Sequence, residues 1–306
     1  MMEQTPRTVV TPDGTMLSVH VHSARDTPAD APTIALAHGW TLTHESWRPV
    51  VDALADSGLR VVLWDQRGHG RSPIGLRRSQ IDTLTVDHLG RDLRTVVRAV
   101  VPPESPVVLG GHSLGGMTVM SYAAQFPDEI AARVRGVLLV ATASHGTELG
   151  SRRGEARFMR LLAKGMPLPA GPAARYKAQR ASLFGDSPAP EHVTAVREQV
   201  ASTRTTTFGA FHGPMARVDV RGAFAALGAL PVSIVVGRRD RLTPTERSRA
   251  LWLALPHSRW TEVPTAGHML PYEATDLIVR ELTGLAAGVV AGRAAGRVAA
   301  REDAPS

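Results

Sequence analysis

The chain contains no cysteine. That excludes a disulfide framework and every thiolate metal site. Aromatic residues make up only 5% of it. No stretch approaches the roughly 20 consecutive apolar residues needed to span a bilayer as a helix. The apolar segment Val134–Ala143 is about half that length and fits a buried strand. The N-terminus, Met1 to Val10, has no apolar run behind a basic segment. No secretory signal is therefore expected, and the expected location is the cytoplasm. Lysine is almost missing, with Lys164 and Lys177 alone among many arginines. What is present is 306 residues, 43% of them hydrophobic. That is ample for a large globular core and too apolar for a disordered chain. The net charge of +7 and a pI near 10.7 raise nucleic acid or an acidic membrane as partners. No nucleic-acid motif and no aromatic-interleaved basic stripe accompanies that charge, so no nucleic-acid partner is expected.

Strand and helix signals alternate along the chain. Met16–His22 alternates apolar and polar residues, as a half-buried strand does. Thr33–Ala37, Arg60–Trp64, Pro106–Leu109, Val134–Ala143, Pro231–Val236 and Arg259–Val263 are short strand-like runs. Helical spacing lies between them, at Ser46–Asp56, Thr85–Val101 and Leu114–Gln125. Continuous apolar strands separated by helices predict a parallel sheet covered on both faces. The interval between Ala143 and Pro231 is too long for an ordinary connection. It is rich in proline and carries helical patterns such as Phe158, Leu161, Leu162 and Met166. Residues 144–222 thus read as a helical cap or lid inserted into a core made of 1–143 and 223–285. The Ala/Arg-rich stretch 286–306 reads as a frayed helix or a disordered tail. A peripheral membrane helix is the lesser reading there, since it lacks a strong apolar face.

The chemistry concentrates at Gly111-His112-Ser113-Leu114-Gly115-Gly116. The segment follows a short apolar strand and opens a helix, the setting of a nucleophile elbow. Ser113 must sit on a sharp, strained turn to present its hydroxyl, and the flanking glycines keep strand and helix clear of that turn. Serine needs a base and an orienting acid. Asp240 follows the Pro231–Val236 strand and His268 follows the Arg259–Val263 strand, in the order Ser, Asp, His. The end of the Val134–Ala143 strand offers no competing carboxylate. Two backbone amides are expected to hold the oxyanion, those of Leu114 and of Trp40. The Trp40 ring is expected to wall the acyl pocket. The motifs require neither a cofactor nor a metal. His20-x-His22 places two imidazoles on one strand face, but no carboxylate-rich ligand set follows, and a solvated strand is the expected reading. Phe158, Phe184, Phe208 and Phe211 either line a lipophilic pocket or form the small core of the cap.

These residues resemble the α/β-hydrolase fold superfamily, in its serine-hydrolase, esterase- and lipase-like branch. The resemblance rests on His38-Gly39-Trp40, Asp65–Ser72, Gly111–Gly116, Asp240 and Gly267-His268. It implies an α/β-hydrolase fold, a mostly parallel eight-stranded sheet with helices on both faces and a cap after strand 6. It also implies that Ser113 attacks, His268 shuttles the proton and Asp240 holds the imidazole, while Asp65–Ser72 is a structural turn. A serine at the elbow excludes the epoxide hydrolases and haloalkane dehalogenases of this fold, which use aspartate. The His-Gly-Trp segment also resembles cofactor-free haloperoxidases, or perhydrolases, but His112-Ser113-Leu114 departs from their usual Phe-Ser-Met. The reading is a serine hydrolase that cleaves carboxylic esters through an acyl-enzyme. A thioesterase, a perhydrolase, a lyase on the same triad and a non-catalytic ligand receptor remain alternatives.

Partitioned, the charge is uneven. Residues 1–143 hold 13 basic and 14 acidic side chains, while residues 144–222 hold 12 and 6. The excess sits with Arg152, Arg153, Arg157, Arg160 and Lys164. A solvated face is the plain expectation, and attraction of an anionic substrate or an acidic membrane surface is the sharper one. The expected partner is a small-molecule ester, lipophilic or anionic; the sequence does not specify an oligomeric state.

Overall fold

The strands do what the apolar runs demand: each sends alternate side chains to opposite faces of one sheet. In β3 (Thr33–Ala37), Ala35 and Ala37 pack into one apolar cluster, and Ile34 and Leu36 into the other. In β6 (Val134–Val140), Val137 and Leu139 join the first, and Leu138 and Val140 the second. A computed structural model describes residues 2–146, 154–166 and 182–302. It contains one eight-stranded sheet in the order β1-β2-β4-β3-β5-β6-β7-β8. The remaining strands are β1 (Glu3–Val10), β2 (Met16–Ser23), β4 (Arg60–Trp64), β5 (Val107–His112), β7 (Val232–Gly237) and β8 (Arg259–Val263). The β1–β2 and β2–β4 pairings are antiparallel, and every later pairing is parallel.

The helices are α1 (Arg48–Ala53), α2 (Val86–Val100), α3 (Leu114–Gln125), α4 (Pro127–Arg133) and α5 (Glu155–Ala163). They continue with α6 (Pro190–Ser202), α7 (Thr205–Ala216), α8 (Phe224–Leu227), α9 (Thr245–Ala254), α10 (Leu270–Glu273) and α11 (Thr275–Glu302). Buried residues of α2 and α3 lie in the first cluster, and those of α1 and α11 in the second, so both faces are covered. Helices α5 to α8 all fall between β6 and β7. Among the described residues no helix is long and apolar enough to cross a membrane. Helix α11 carries the stretch after Gly284 on to Glu302.

Two local expectations differ from what is seen. Strand β1 has no apolar pattern to announce it, because it is a sheet edge with only Val9 buried. An edge also tolerates Pro6, whose missing N–H would break an interior ladder. The helix expected over Ser46–Asp56 is shorter: a single turn at His44–Trp47 leads into α1, which ends at Ala53.

The Asp65–Ser72 turn is pinned by a buried charge pair. Arg67 donates from Nε and Nη2 to both carboxylate oxygens of Asp92, each at 2.6 Å, and from Nη1 to Asp13 at 2.9 Å. Arg67 and Asp92 are almost wholly buried. Removing the Asp92 charge leaves the buried Arg67 guanidinium with only the more exposed Asp13 to balance it, in a poor solvent for ions. Asp92→Asn is expected to lower unfolding free energy by about 3 kcal/mol, read from guanidinium denaturation midpoints. A loss no larger than that of an exposed pair, under about 1 kcal/mol, would contradict this.

Candidate active site

The sharp turn at Ser113 forms because its backbone has nowhere else to go. Strand β5 ends at His112 and α3 begins at Leu114, so one residue makes the whole turn. Ser113 takes φ 55° and ψ −117°, a conformation costing a non-glycine residue about 1–3 kcal/mol. Its amide donates to the Val140 carbonyl at 2.9 Å, and its carbonyl accepts from the Thr142 hydroxyl at 2.7 Å. A Cβ at Gly111 would overlap the backbone of Gly115, and one at Gly115 would overlap the carbonyl of Ala37. The glycines are there for close approach.

Asp240 and His268 meet at the ends of β7 and β8. The imidazole Nδ1 lies 2.8 Å from Asp240 Oδ2. The same oxygen accepts from the Thr243 hydroxyl at 2.7 Å, and Oδ1 accepts from the amides of Leu242 and Thr243 at 2.8 and 2.9 Å. Burial pushes this carboxyl up, but His268 and the Thr243 donors outweigh it and hold Asp240 below the usual carboxylate range. It stays ionised beside the imidazole.

Ser113 and His268 line one cavity of about 250 Å³. Trp40, Leu42, Met117, Phe208, Leu242 and Met269 share its walls. Trp40 and Phe208 stack with ring centroids 4.7 Å apart. His268 aside, no described lining residue carries a titratable acid or base except His112. Burial holds His112 neutral, its value lowered to about 3. His112 Nε2 donates to the His268 carbonyl at 2.8 Å, which ties the elbow to the histidine loop.

The loop after β3 is held just as closely. The Gln66 amide donates to His38 Nε2 at 2.9 Å, so His38 carries its proton on Nδ1 and donates it to the Gly39 carbonyl at 2.8 Å. In a trans peptide the Trp40 N–H points away from that carbonyl. Thr41 has a positive φ of 65°. Helix α6 and the residue that caps it steady this strained turn: Gln199 Oε1 accepts from the Thr43 amide at 3.1 Å, and the Thr203 hydroxyl donates to the Thr41 carbonyl at 2.8 Å.

The comparisons with known proteins agree with this architecture. A family model described as alpha/beta hydrolase fold matches residues 32–275. The chain belongs to the alpha/beta hydrolase fold family. It is an α/β-fold hydrolase, 30% identical over 249 residues to a putative carbamate hydrolase of Variovorax paradoxus, covering 79% of this chain and 86% of that one. Two solved structures share the fold. An esterase from Thermogutta terrifontis superposes with a TM-score of 0.73 at 22% identity, covering 92% of this chain and 97% of that one. An enol-lactonase from Burkholderia xenovorans gives 0.73 at 20%, covering 91% and 99%.

Several residues of this hydrolase escape the sequence reading. Thr243, Gln199 and His112 have the contacts above. His20 was expected on a solvated strand and is instead buried. Its ring stacks on His44 at 3.6 Å, nearly parallel. His20, His44 and Asp65 bring ligand atoms within 4.8 Å of one another, the only such group of three among the described residues. They do not suit a metal, because stacked imidazoles hold their in-plane lone pairs parallel rather than convergent. Their nitrogens are also engaged, His44 with Asp65 and Glu45, and His20 with Gln4 and Ser18.

Burial pushes the His44 imidazolium down, but its bonds to Asp65 and Glu45 outweigh that and raise it to about 9. Asp65 is correspondingly held below the carboxylate range despite its burial. The His44 contribution to stability is full below its ordinary 6.5 and fades as pH rises through about 9. The Asp65 contribution is full above its ordinary 3.8 and fades as pH falls. A ring-proton NMR titration should find the His44 midpoint near 9, and Asp65→Asn should lower it. An unshifted midpoint in the variant would refute the pairing.

Of the phenylalanines singled out above, Phe208 faces the cavity, while Phe211 is buried against His69 and Phe184 packs with Leu42 and Met269. Arg152 and Arg153 lie outside the described residues. Arg160 and Lys164 face Asp82 at 3.6 and 3.8 Å, and neither lines the cavity.

Proposed function

We propose that this hydrolase cleaves small, neutral carboxylic esters through an acyl-enzyme on Ser113. The observation that carries it is the Asp240–His268 hydrogen bond beside a cavity lined by both His268 and the strained Ser113. The Ser113 hydroxyl attacks the ester carbonyl while His268 Nε2 takes its proton. The developing oxyanion lies between the Leu114 and Trp40 amides, of which Leu114 also stands at the N-terminus of α3. His268 then protonates the departing alcohol, and a water deprotonated by the same imidazole releases the acid. Asp240 holds the imidazole in the tautomer that leaves Nε2 free to accept. The domain reading is part of this proposal: 144–222 cap a core of 1–143 and 223–285.

The cavity supports a neutral substrate, since its described walls hold no carboxylate, lysine or arginine. It is larger than the roughly 150 Å³ apolar cavity that takes up benzene, so an aryl or short acyl group fits. A carbamate is the second reading, favoured by the relative from Variovorax, because its carbonyl accepts the same attack. The test is a panel of p-nitrophenyl esters of increasing acyl length, with a p-nitrophenyl carbamate beside them. Release of p-nitrophenol from short or aryl esters, together with phosphonate adduction mapped to Ser113, is the expected result. No release from any of them, and no adduct, would overturn the reading.

A further inference from the structure

The loop that bears His268 is held by a clamp on both sides of the histidine. The Glu273 carboxylate, at the end of α10, accepts from the Gly267 amide at 3.0 and 3.1 Å and from the Met269 amide at 3.1 Å. Its Oε2 also accepts from the Gly185 amide at 2.7 Å. The amide of His268 itself donates to the Leu183 carbonyl at 2.8 Å, and the Met269 amide reaches the same oxygen at 3.1 Å. Asp186 completes the seam, its amide donating to the Thr265 carbonyl at 2.9 Å. Every backbone N–H from Gly267 to Met269 is therefore used by Glu273 or by the 183–186 segment.

The two backbones can lie this close only because both carry glycine. A Cβ at Gly185 would overlap the Thr265 carbonyl oxygen, and one at Gly267 would overlap the backbone of Phe184 and Gly185. Neither glycine has a positive φ, so close approach rather than turn geometry is the reason for them. Glu273 is half-buried, and burial pushes its carboxyl upward while the three amides oppose it. A carboxylate accepting several backbone N–H groups is a strong, directional tie.

We propose that Glu273 is a positioning residue for His268, and that with the Leu183–Asp186 backbone it locks the proton-shuttling imidazole to the polypeptide that leads into α6. This rests on the reading of His268 as the base of the reaction. It goes beyond that reading by assigning the base's placement to a carboxylate that touches neither substrate nor imidazole. Gln199 of helix α6 and Thr203, which caps it, also anchor the Thr41–Thr43 turn. One stretch of chain, 183–203, thus contacts both the histidine loop and the loop that carries Trp40.

The test uses the full chain with Glu273→Gln. Glutamine keeps the size of the side chain but turns one acceptor into an NH₂ that faces backbone N–H donors. The expected result is a kcat lowered about 10- to 100-fold, the cost of a displacement near 1 Å, with KM unchanged. The downfield proton resonance of the His268–Asp240 hydrogen bond should broaden or vanish, with the thermal midpoint little moved. Gly185→Ala should give the same pattern by pushing the 183–186 segment away. Unchanged kcat and an intact downfield proton in folded Glu273→Gln would overturn the proposal. So would a loss of activity that only tracks loss of folded protein. The proton resonance needs no turnover, so it reads the clamp even if Ser113→Ala were to keep full activity and the ester-hydrolase reading failed.

Discussion

Ser113→Ala is expected to lower kcat on a p-nitrophenyl ester by on the order of 10⁶-fold, with no phosphonate adduct and no burst of p-nitrophenol. The size of the effect follows from what remains. Without the hydroxyl there is no covalent intermediate, and only the positioned amides and the cavity act on the substrate. The fold should be untouched, because the elbow is held by main-chain bonds. The Ser113 amide to Val140 and the Thr142 hydroxyl to the Ser113 carbonyl survive the change. Alanine also inherits the same unfavourable φ, so the strain neither rises nor falls. Ligand affinity for the cavity should therefore stay near that of the parent, and steady-state kinetics with product inhibition would separate the two quantities. A variant that kept more than a thousandth of the parent rate would place the nucleophile elsewhere.

How much of this could be read without coordinates depends on how local each signal is. The elbow was legible because a β-branched strand, two close-approach glycines and a helix start coincide within a few residues. Asp240 and His268 were legible because each follows a strand, and order along the chain does the rest. The eight strands were nearly all visible for the same reason: β3, β5, β6 and β7 are buried on both faces and read as unbroken apolar runs. Strand β1 was not, because an exposed edge imposes no pattern. Glu273 was also invisible. Its donors, Gly185 and Gly267, are neighbours only in space, and a glutamate on a short helix looks like any surface glutamate. Gln199 and Tyr272 escaped in the same way, joined to each other at 2.9 Å across the fold. His20 shows the opposite error. Two histidines in a strand suggest solvent, yet stacking on His44 makes a buried imidazole tolerable, and burial keeps it neutral with its value lowered to about 4.

Asp240→Asn is expected to cost about 10⁴-fold in kcat while leaving the geometry of the site in place. The reason can be built from its hydrogen bonds. Oδ1 faces two backbone amides, Leu242 and Thr243, which can only donate. That position must remain an oxygen. The asparagine NH₂ is therefore forced to the other side, where it meets His268 Nδ1 and the Thr243 hydroxyl. The hydroxyl can turn and accept, but the imidazole has one way to accept, by surrendering the proton on Nδ1. The proton then sits on Nε2, and a nitrogen that already carries a proton cannot take the one from Ser113. The loss thus comes from the wrong tautomer, not from a missing contact. Three measurements should agree: kcat falls by about four orders of magnitude, the downfield Nδ1 proton disappears, and the thermal midpoint stays close to that of the parent. A variant that retained its kcat would mean that the carboxylate serves only to close the Asp240–Thr243 turn.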